Sequence, residues 1–89
     1  MTAVERNYMW VKDHAFNIAR RKKGIARGMF TVGEVVEALG FARNTVQKYV
    51  DVMEDLEIVY KVVISKKLVA YRFHSADHLE PIQVQDIPF

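Results

Sequence analysis

The spacing of hydrophobic positions divides most of the chain into segments of two kinds. Over residues 4–26, 30–39 and 43–56, apolar residues recur at intervals of three and four, which is the spacing of one face of a helix. After Leu56 the apolar residues alternate with their neighbours, which is the spacing of a strand. The pattern therefore predicts three helices followed by strands.

The second and third predicted helices are joined by a short turn. Thr31 and Glu34 have the spacing of a capping box, in which each side chain accepts a hydrogen bond from the other residue's backbone amide. Gly40 directly follows the helix, where glycine readily adopts the left-handed conformation. We expect the apolar stripes of these two helices to be buried: Val32, Val35, Val36 and Leu39, then Val46, Tyr49, Val50, Met53 and Leu56.

Two alternating runs, residues 58–64 and 69–73, flank the sequence Ser65-Lys66-Lys67 and predict a β-hairpin. The connection lacks the Asn-Gly or Gly signal of a tight primed turn, so its turn type is open. Tyr60 and Tyr71 occupy apolar registers of these runs, and we expect both to pack in the core.

Helix, turn, helix and hairpin in this order resemble the winged helix-turn-helix family of DNA-binding domains. The resemblance covers residues 30–74 and is closest over residues 39–46, where a Leu-Gly-apolar turn leads into Thr45-Val46. Ala42 replaces the usual Ser or Thr N-cap, at a cost of about 1 kcal/mol, and Glu57 replaces the glycine that commonly ends this helix. The resemblance implies an α+β, mainly α fold: a winged helix-turn-helix with a long N-terminal helix, two HTH helices and a β-hairpin wing.

The resemblance also implies sequence-specific binding of double-stranded DNA by a transcriptional regulator. Its second HTH helix would enter the major groove, with the hairpin wing on the backbone or in the minor groove. Arg pairs with guanine edges, whereas Asn and Gln pair with adenine edges. An ordinary polar helix surface is the competing interpretation. The candidate DNA-binding residues are Arg43, Asn44, Thr45, Gln47, Lys48, Lys66 and Lys67.

Charge is distributed unevenly around a net charge of only +2. Residues 1–29 carry seven Lys or Arg and two Asp or Glu. Residues 58–75 carry four Lys or Arg and no Asp or Glu. These basic segments flank the predicted recognition helix, as expected for a phosphate-binding surface. The basic run over residues 20–23 has two interpretations. It could contact a phosphate backbone, or it could complement the negative end of the first helix dipole.

Several classes of function find little support in the sequence. Eighty-nine residues without cysteine suit one domain without disulfides or thiolate chemistry. We find no signal-peptide pattern and no apolar stretch long enough to span a membrane, and we expect a cytoplasmic protein. No catalytic motif, cofactor site or small-molecule site is recognisable, so we expect no enzyme. His74 and His78 have a metal-ligand spacing, but Pro81 follows and no third ligand is evident, so no metal site is expected.

Residues 1–74 are assigned to the winged-helix domain and residues 75–89 to a C-terminal tail. The tail combines two prolines and three acids with several large apolar residues, so it is either docked or mobile. Met9, Trp10 and Phe16 widen the apolar arc of the first helix, and we expect them to form a homodimer interface. The alternative function is a winged-helix protein-interaction adaptor in a replication or transcription assembly.

Overall fold

A computed structural model describes residues 2–74 and contains three α-helices and a three-stranded antiparallel sheet. The prediction of an α+β, mainly helical fold is confirmed at this level. The C-terminal tail assigned to residues 75–89 lies outside the described residues. The elements are α1 (Ala3–Arg21), β1 (Met29–Phe30), α2 (Val32–Leu39), α3 (Arg43–Asp55), β2 (Val59–Val63) and β3 (Val69–Phe73).

Helix α1 is shorter than its apolar pattern predicts, because the chain turns back after Arg21. The backbone of Lys22 is extended, and its amide donates to the carbonyl of Ala19. A single 3₁₀ turn follows at Gly24–Ala26, and the Gly28 amide returns to the same Ala19 carbonyl. The prediction of a continuous helix to residue 26 is therefore wrong.

Helix α2 begins and ends where its local sequence signals predict. The Thr31 hydroxyl accepts from the Glu34 amide at 3.2 Å, and the Glu34 carboxylate accepts from the Thr31 amide at 2.9 Å. Gly40 is left-handed, with φ of 74°, and its amide donates to Val36. These contacts satisfy backbone groups that a short helix otherwise leaves unpaired.

Helix α3 follows Ala42, whose side chain makes no capping hydrogen bond, as expected for alanine. At its other end Glu57 adopts a left-handed conformation, with φ of 60°. Amides of Glu57 and Ile58 donate to Glu54 and Met53, which is the paired arrangement of a Schellman motif. Glu57 thus takes the conformation for which glycine is usual.

The sheet has the order β1-β3-β2. The predicted hairpin pairs Val59 with Phe73 and Val63 with Val69. Strand β1 pairs with β3 on the side opposite β2. It was not predicted, because two residues are too few to show alternation.

The core lies between the three helices and one face of the sheet. From α1, Val11, Ala15 and Ala19 are fully buried, and Phe30 stacks on Tyr71 at 5.8 Å between ring centroids. Most predicted core positions of α2 and α3 are confirmed: Val32, Val35, Val46, Tyr49, Val50 and Met53 are buried, and Val36 and Leu39 pack against them.

Two core assignments are wrong. Leu56 lies beyond the last residue of α3 and is exposed. Tyr60 is 38% exposed. Its neighbour Val59 faces the helices and is buried, so alternation directs Tyr60 to the opposite, uncovered face of the sheet.

Candidate functional site

An open groove of about 370 Å³ lies between the first turn of α2, the first half of α3 and the β2–β3 hairpin. We call it the α3–hairpin groove. It brings together three of the predicted site residues, Arg43, Gln47 and Lys67, from two separate segments. Its lining residues are Thr31, Val32, Gly33, Arg43, Gln47, Lys67, Leu68, Val69 and Tyr71.

Arg43 is the first residue of α3 and is exposed. Its Nη1 atom lies 3.6 Å from the position that a Cβ would occupy at Gly33, so the guanidinium lies beside the first turn of α2. The beginning of a helix carries a positive partial charge. With Lys67 on the hairpin side, this end of the groove is electropositive and suits an anionic ligand.

Gln47 is half-buried in the groove, and its side-chain amide is used within the fold. Nε2 donates to Asp51 Oδ1 at 2.9 Å and to the Tyr71 hydroxyl at 3.0 Å. Both hydrogens of this amide have partners within the fold, so Gln47 would have to exchange these bonds in order to read a base. Its contact with DNA stays a prediction. In the structure Gln47 connects α3 to β3.

The remaining predicted site residues lie around the groove rather than in its lining. Asn44 and Lys48 are exposed on the first two turns of α3, and Thr45 is half-buried beside them. Lys66 is exposed at the hairpin tip next to Lys67. These side chains extend the polar surface that begins at Arg43.

The hairpin tip is stabilised by backbone hydrogen bonds and by a serine. The Leu68 amide donates to the Ser65 carbonyl at 3.3 Å, and the Lys67 amide donates to the Ser65 hydroxyl at 3.4 Å. Since the serine supplies a local acceptor, the turn forms without the glycine of a primed turn. Both lysine side chains are exposed.

Two other cations have partners within the fold. Lys22 Nζ lies 2.6 Å from Glu34 Oε1 and joins the end of α1 to the start of α2. Arg72 donates to the carbonyls of Ile25 and Arg27, at 2.6 and 3.3 Å. Their positive charge is therefore used to hold elements together.

The pKa of Glu34 reflects these contacts. Burial alone would raise it, but the hydrogen bonds from Lys22 and from the Thr31 amide hold the pKa of this carboxyl below its ordinary value. Glu34 is thus a stable anion between two elements that adjoin the groove.

The second half of α3 is acidic. Asp51 and Asp55 are exposed, and Glu54 is half-buried. These carboxylates repel phosphate, so an anionic ligand would be confined to the first two turns of the helix.

The residues expected at a dimer interface differ in their exposure. Trp10 is 44% exposed. Its ring centroid lies 6.2 Å from that of Phe41 and 5.3 Å from Cζ of Arg6. Met9 is similarly exposed. Phe16 instead packs edge-on against Phe73 at 5.7 Å and is half-buried at the margin of the core. The sheet therefore covers Phe16 in part, and its place in a dimer interface stays a prediction.

Residues 2–74 contain no cluster of three His, Cys, Asp or Glu side chains that could hold a metal ion. His78, one member of the spaced histidine pair, lies outside the described residues. No helix in the described range is long and apolar enough to cross a membrane.

Several groove residues were not predicted. Thr31 was assigned only to the start of α2 and Tyr71 only to the core, and Gly33 was given no role. The Gln47–Tyr71 contact joins residues distant in sequence, and no local pattern indicates it. The electropositive region at Gly33 has a weak sequence signal, since a capped helix start precedes the basic residues Arg43 and Lys48 in the first half of α3.

No protein-family model, curated protein or solved structure matches this chain. The function must therefore be argued from the geometry of the site itself.

Proposed function

We propose that the protein is a winged helix-turn-helix transcriptional regulator that binds double-stranded DNA sequence-specifically in the cytoplasm. In this proposal α2 and α3 are the HTH pair, and α3 enters the major groove. The β2–β3 hairpin is the wing and lies on the backbone or in the minor groove. The succession of three helices and a hairpin in an antiparallel sheet is compatible with this arrangement. The activity requires no catalytic step and no cofactor.

The observation that carries the proposal is the shared location of Arg43 and Lys67 in the α3–hairpin groove. One cation comes from the start of α3 and the other from the hairpin tip, beside the positive end of α2. A polyanion placed along α3 would contact both. The acidic second half of α3 limits that contact to the part of the helix that carries Asn44 and Lys48.

Base reading is assigned to the exposed residues at the start of α3. Asn44 can make a bidentate contact with adenine, and Arg43 or Lys48 can contact guanine. Gln47 has a positioning role, because its amide is bonded to Asp51 and Tyr71. Thr45 and the wing residue Lys66 are assigned to phosphate.

Selection of bound sequences from random duplex DNA tests this function. We expect an enriched sequence, and Asn44→Ala should lose preference at one base position by about 1–3 kcal/mol. Asn17→Ala, which removes an exposed asparagine of α1, is the matched control and should keep the preference. If the parent protein enriches no sequence, or if Asn44→Ala retains the full preference, the base-reading assignment fails.

We also propose a homodimer that buries Met9, Trp10 and the exposed part of Phe16. Exposed large apolar side chains that lie together commonly mark an interface, and two-fold dimers are the commonest oligomers. A two-fold axis would place two copies of α3 in successive major grooves, about 34 Å apart.

Light scattering across a concentration series tests the dimer. We expect a dimeric mass at micromolar concentration, reduced toward the monomer by Trp10→Ala. Leu56→Ala removes another exposed apolar side chain and should leave the mass unchanged. A monomeric parent protein would contradict the proposal.

The alternative function is an adaptor that binds protein in a replication or transcription assembly. The exposed Met9–Trp10 pair and the acidic half of α3 favour it, since both suit a protein partner. An adaptor should bind duplex DNA weakly and without sequence preference. The selection experiment therefore separates the two functions.

A further inference from the structure

The outer face of the sheet, opposite the helices, is apolar where solvent would favour polar groups. Tyr60, Val62 and Ile64 alternate along this side of β2, and the pairing register places them opposite Arg72, Ala70 and Leu68. Tyr60 is 38% exposed and Ile64 is 53% exposed. We call Tyr60, Val62 and Ile64 the outer apolar face.

The described residues cover this face only in part: Ala70 is buried and Val62 is half-buried, whereas Tyr60 and Ile64 remain exposed. Arg72 holds the loop at Ile25 and Arg27 against one side of the sheet, but Ile25 itself remains largely exposed. Strand β2 is also an edge strand: it pairs with β3 on one side, and no strand within residues 2–74 pairs with its other side. A run of exposed apolar side chains on an edge strand usually marks a docking surface.

The charge around the outer apolar face selects among its partners. The hairpin carries Lys61, Lys66, Lys67 and Arg72, and residues 58–74 contain no acid. A second copy of the hairpin would bring the same positive charge against it, which is unfavourable. The partner should therefore be an acidic segment with spaced apolar residues.

Residues 75–89 have this composition. They contain three acids, no Lys and no Arg, together with the alternating pairs Ile82/Val84 and Ile87/Phe89. In an extended segment the two side chains of each pair lie on one surface. The odd spacing between Val84 and Ile87 places the two pairs on opposite surfaces, so one pair at a time faces the sheet unless the backbone turns between them.

The segment also starts in the right place and is long enough. The described chain ends at His74, whose ring lies 4.7 Å from the Tyr60 ring at one end of the outer apolar face. Strand β2 has five residues, about 17 Å of extended chain. Fifteen further residues can extend over up to about 50 Å.

We propose that residues 75–89 dock on the outer apolar face of the same chain. Their apolar side chains cover Tyr60 and Ile64, and their carboxylates lie near the basic hairpin. None of Tyr60, Val62 and Ile64 lines the α3–hairpin groove, whose strand residues Val69 and Tyr71 are on the opposite face of the sheet, so docking leaves the groove open. The inference is independent of DNA binding.

Spin labelling tests the docking in the full chain. Because the protein has no cysteine, Gln85→Cys provides a single labelling site. We expect the label to cause a loss of amide resonance intensity at Tyr60, Val62 and Ile64, relative to the reduced, diamagnetic label. The loss should persist when labelled protein is diluted with an excess of unlabelled protein without isotope enrichment.

Two variant pairs remove the contact from either side. Tyr60→Ser with Ile64→Ser changes the surface, and Ile87→Ser with Phe89→Ser changes the segment without touching residues 2–74. Either pair should restore the resonance intensity along β2. Val52→Ser with Leu56→Ser removes exposed apolar groups of α3 and its C-cap, and it should have no effect.

Other results would overturn the proposal. A weak loss spread over all exposed amides would show that the segment does not dock. A loss centred on Met9 and Trp10 would place it on α1. A loss that disappears on dilution, or that arises when isotope-enriched unlabelled protein is mixed with labelled protein, would assign the contact to a second copy.

Discussion

The two ends of the β2–β3 hairpin use positive charge in different ways. At the tip, Lys66 and Lys67 are exposed, and Lys67 lines the groove that also contains Arg43. At the base, Arg72 donates to two backbone carbonyls and holds the loop before β1. The same residue class thus serves ligand binding at one end, in our proposal, and folding at the other.

This comparison shows why counting basic residues in the sequence overestimates the number of cations that are available to bind phosphate. The basic run at the end of α1 and the hairpin both suggest phosphate contacts in sequence. In the structure, however, Lys22 is paired with Glu34 and Arg72 with backbone carbonyls. A cation with close partners must lose them before it can contact phosphate, so it contributes less to binding.

The largest expected effect is at the hairpin base. Arg72→Leu should lower the free energy of unfolding by about 1–3 kcal/mol, because two carbonyls lose a charged donor. The salt dependence of DNA binding should remain unchanged. Denaturant unfolding and DNA titrations over a salt series measure the two quantities. A shallower salt slope with unchanged stability would place Arg72 among the phosphate contacts and would contradict the distinction between the two ends of the hairpin.

The opposite result is expected at the hairpin tip. Lys66→Ala with Lys67→Ala should weaken binding to all duplexes about equally and make the salt slope shallower by about 1–2 units. Stability should change by no more than about 0.5 kcal/mol, since both side chains are exposed. Arg6→Ala with Lys12→Ala, on α1 and away from the groove lining, is the charge-matched control. An unaltered slope in the tip variant would make these lysines ordinary solvated residues.

The smallest expected effect concerns Glu34, whose ion pair with Lys22 joins the end of α1 to the start of α2 beside the groove. The pKa of Glu34 is lower in the folded chain than its ordinary value, despite the opposing effect of burial. Its carboxylate therefore stabilises the fold at pH values above its unfolded pKa, and this contribution is lost as pH falls through the folded pKa. Glu34→Gln should cost about 1 kcal/mol at neutral pH, where it weakens the capping box and the partly exposed ion pair.

Unfolding curves of Glu34→Gln across acid and neutral pH measure this effect. The stability difference from the parent should shrink as the pH falls. Glu37→Gln, at an exposed position of the same helix, is the control and should show little difference at any pH. A pH-independent loss in Glu34→Gln would indicate that packing, rather than the carboxylate charge, is responsible.

The sequence by itself determined the features that depend on neighbouring residues. The Thr31–Glu34 capping box and the left-handed Gly40 define α2, because their hydrogen bonds span only a few residues. The alternation beyond residue 58 indicated the β2–β3 hairpin, because the side chains of a strand repeat every two residues. The candidate residues Arg43 and Lys67 were likewise identified from local patterns.

Only the tertiary structure decided how these local elements face one another. The end of α1 depends on contacts made by Lys22 and Gly28, and β1 forms only because β3 offers an edge. Alternation alone left open which face of β2 the helices cover, so Tyr60 was assigned to the core. Gln47 was assigned to DNA from its position off the apolar stripe of α3, and that position gives no sign of its hydrogen bond to Tyr71 on another element. Such contacts depend on packing between distant residues, and short-range spacing does not encode them.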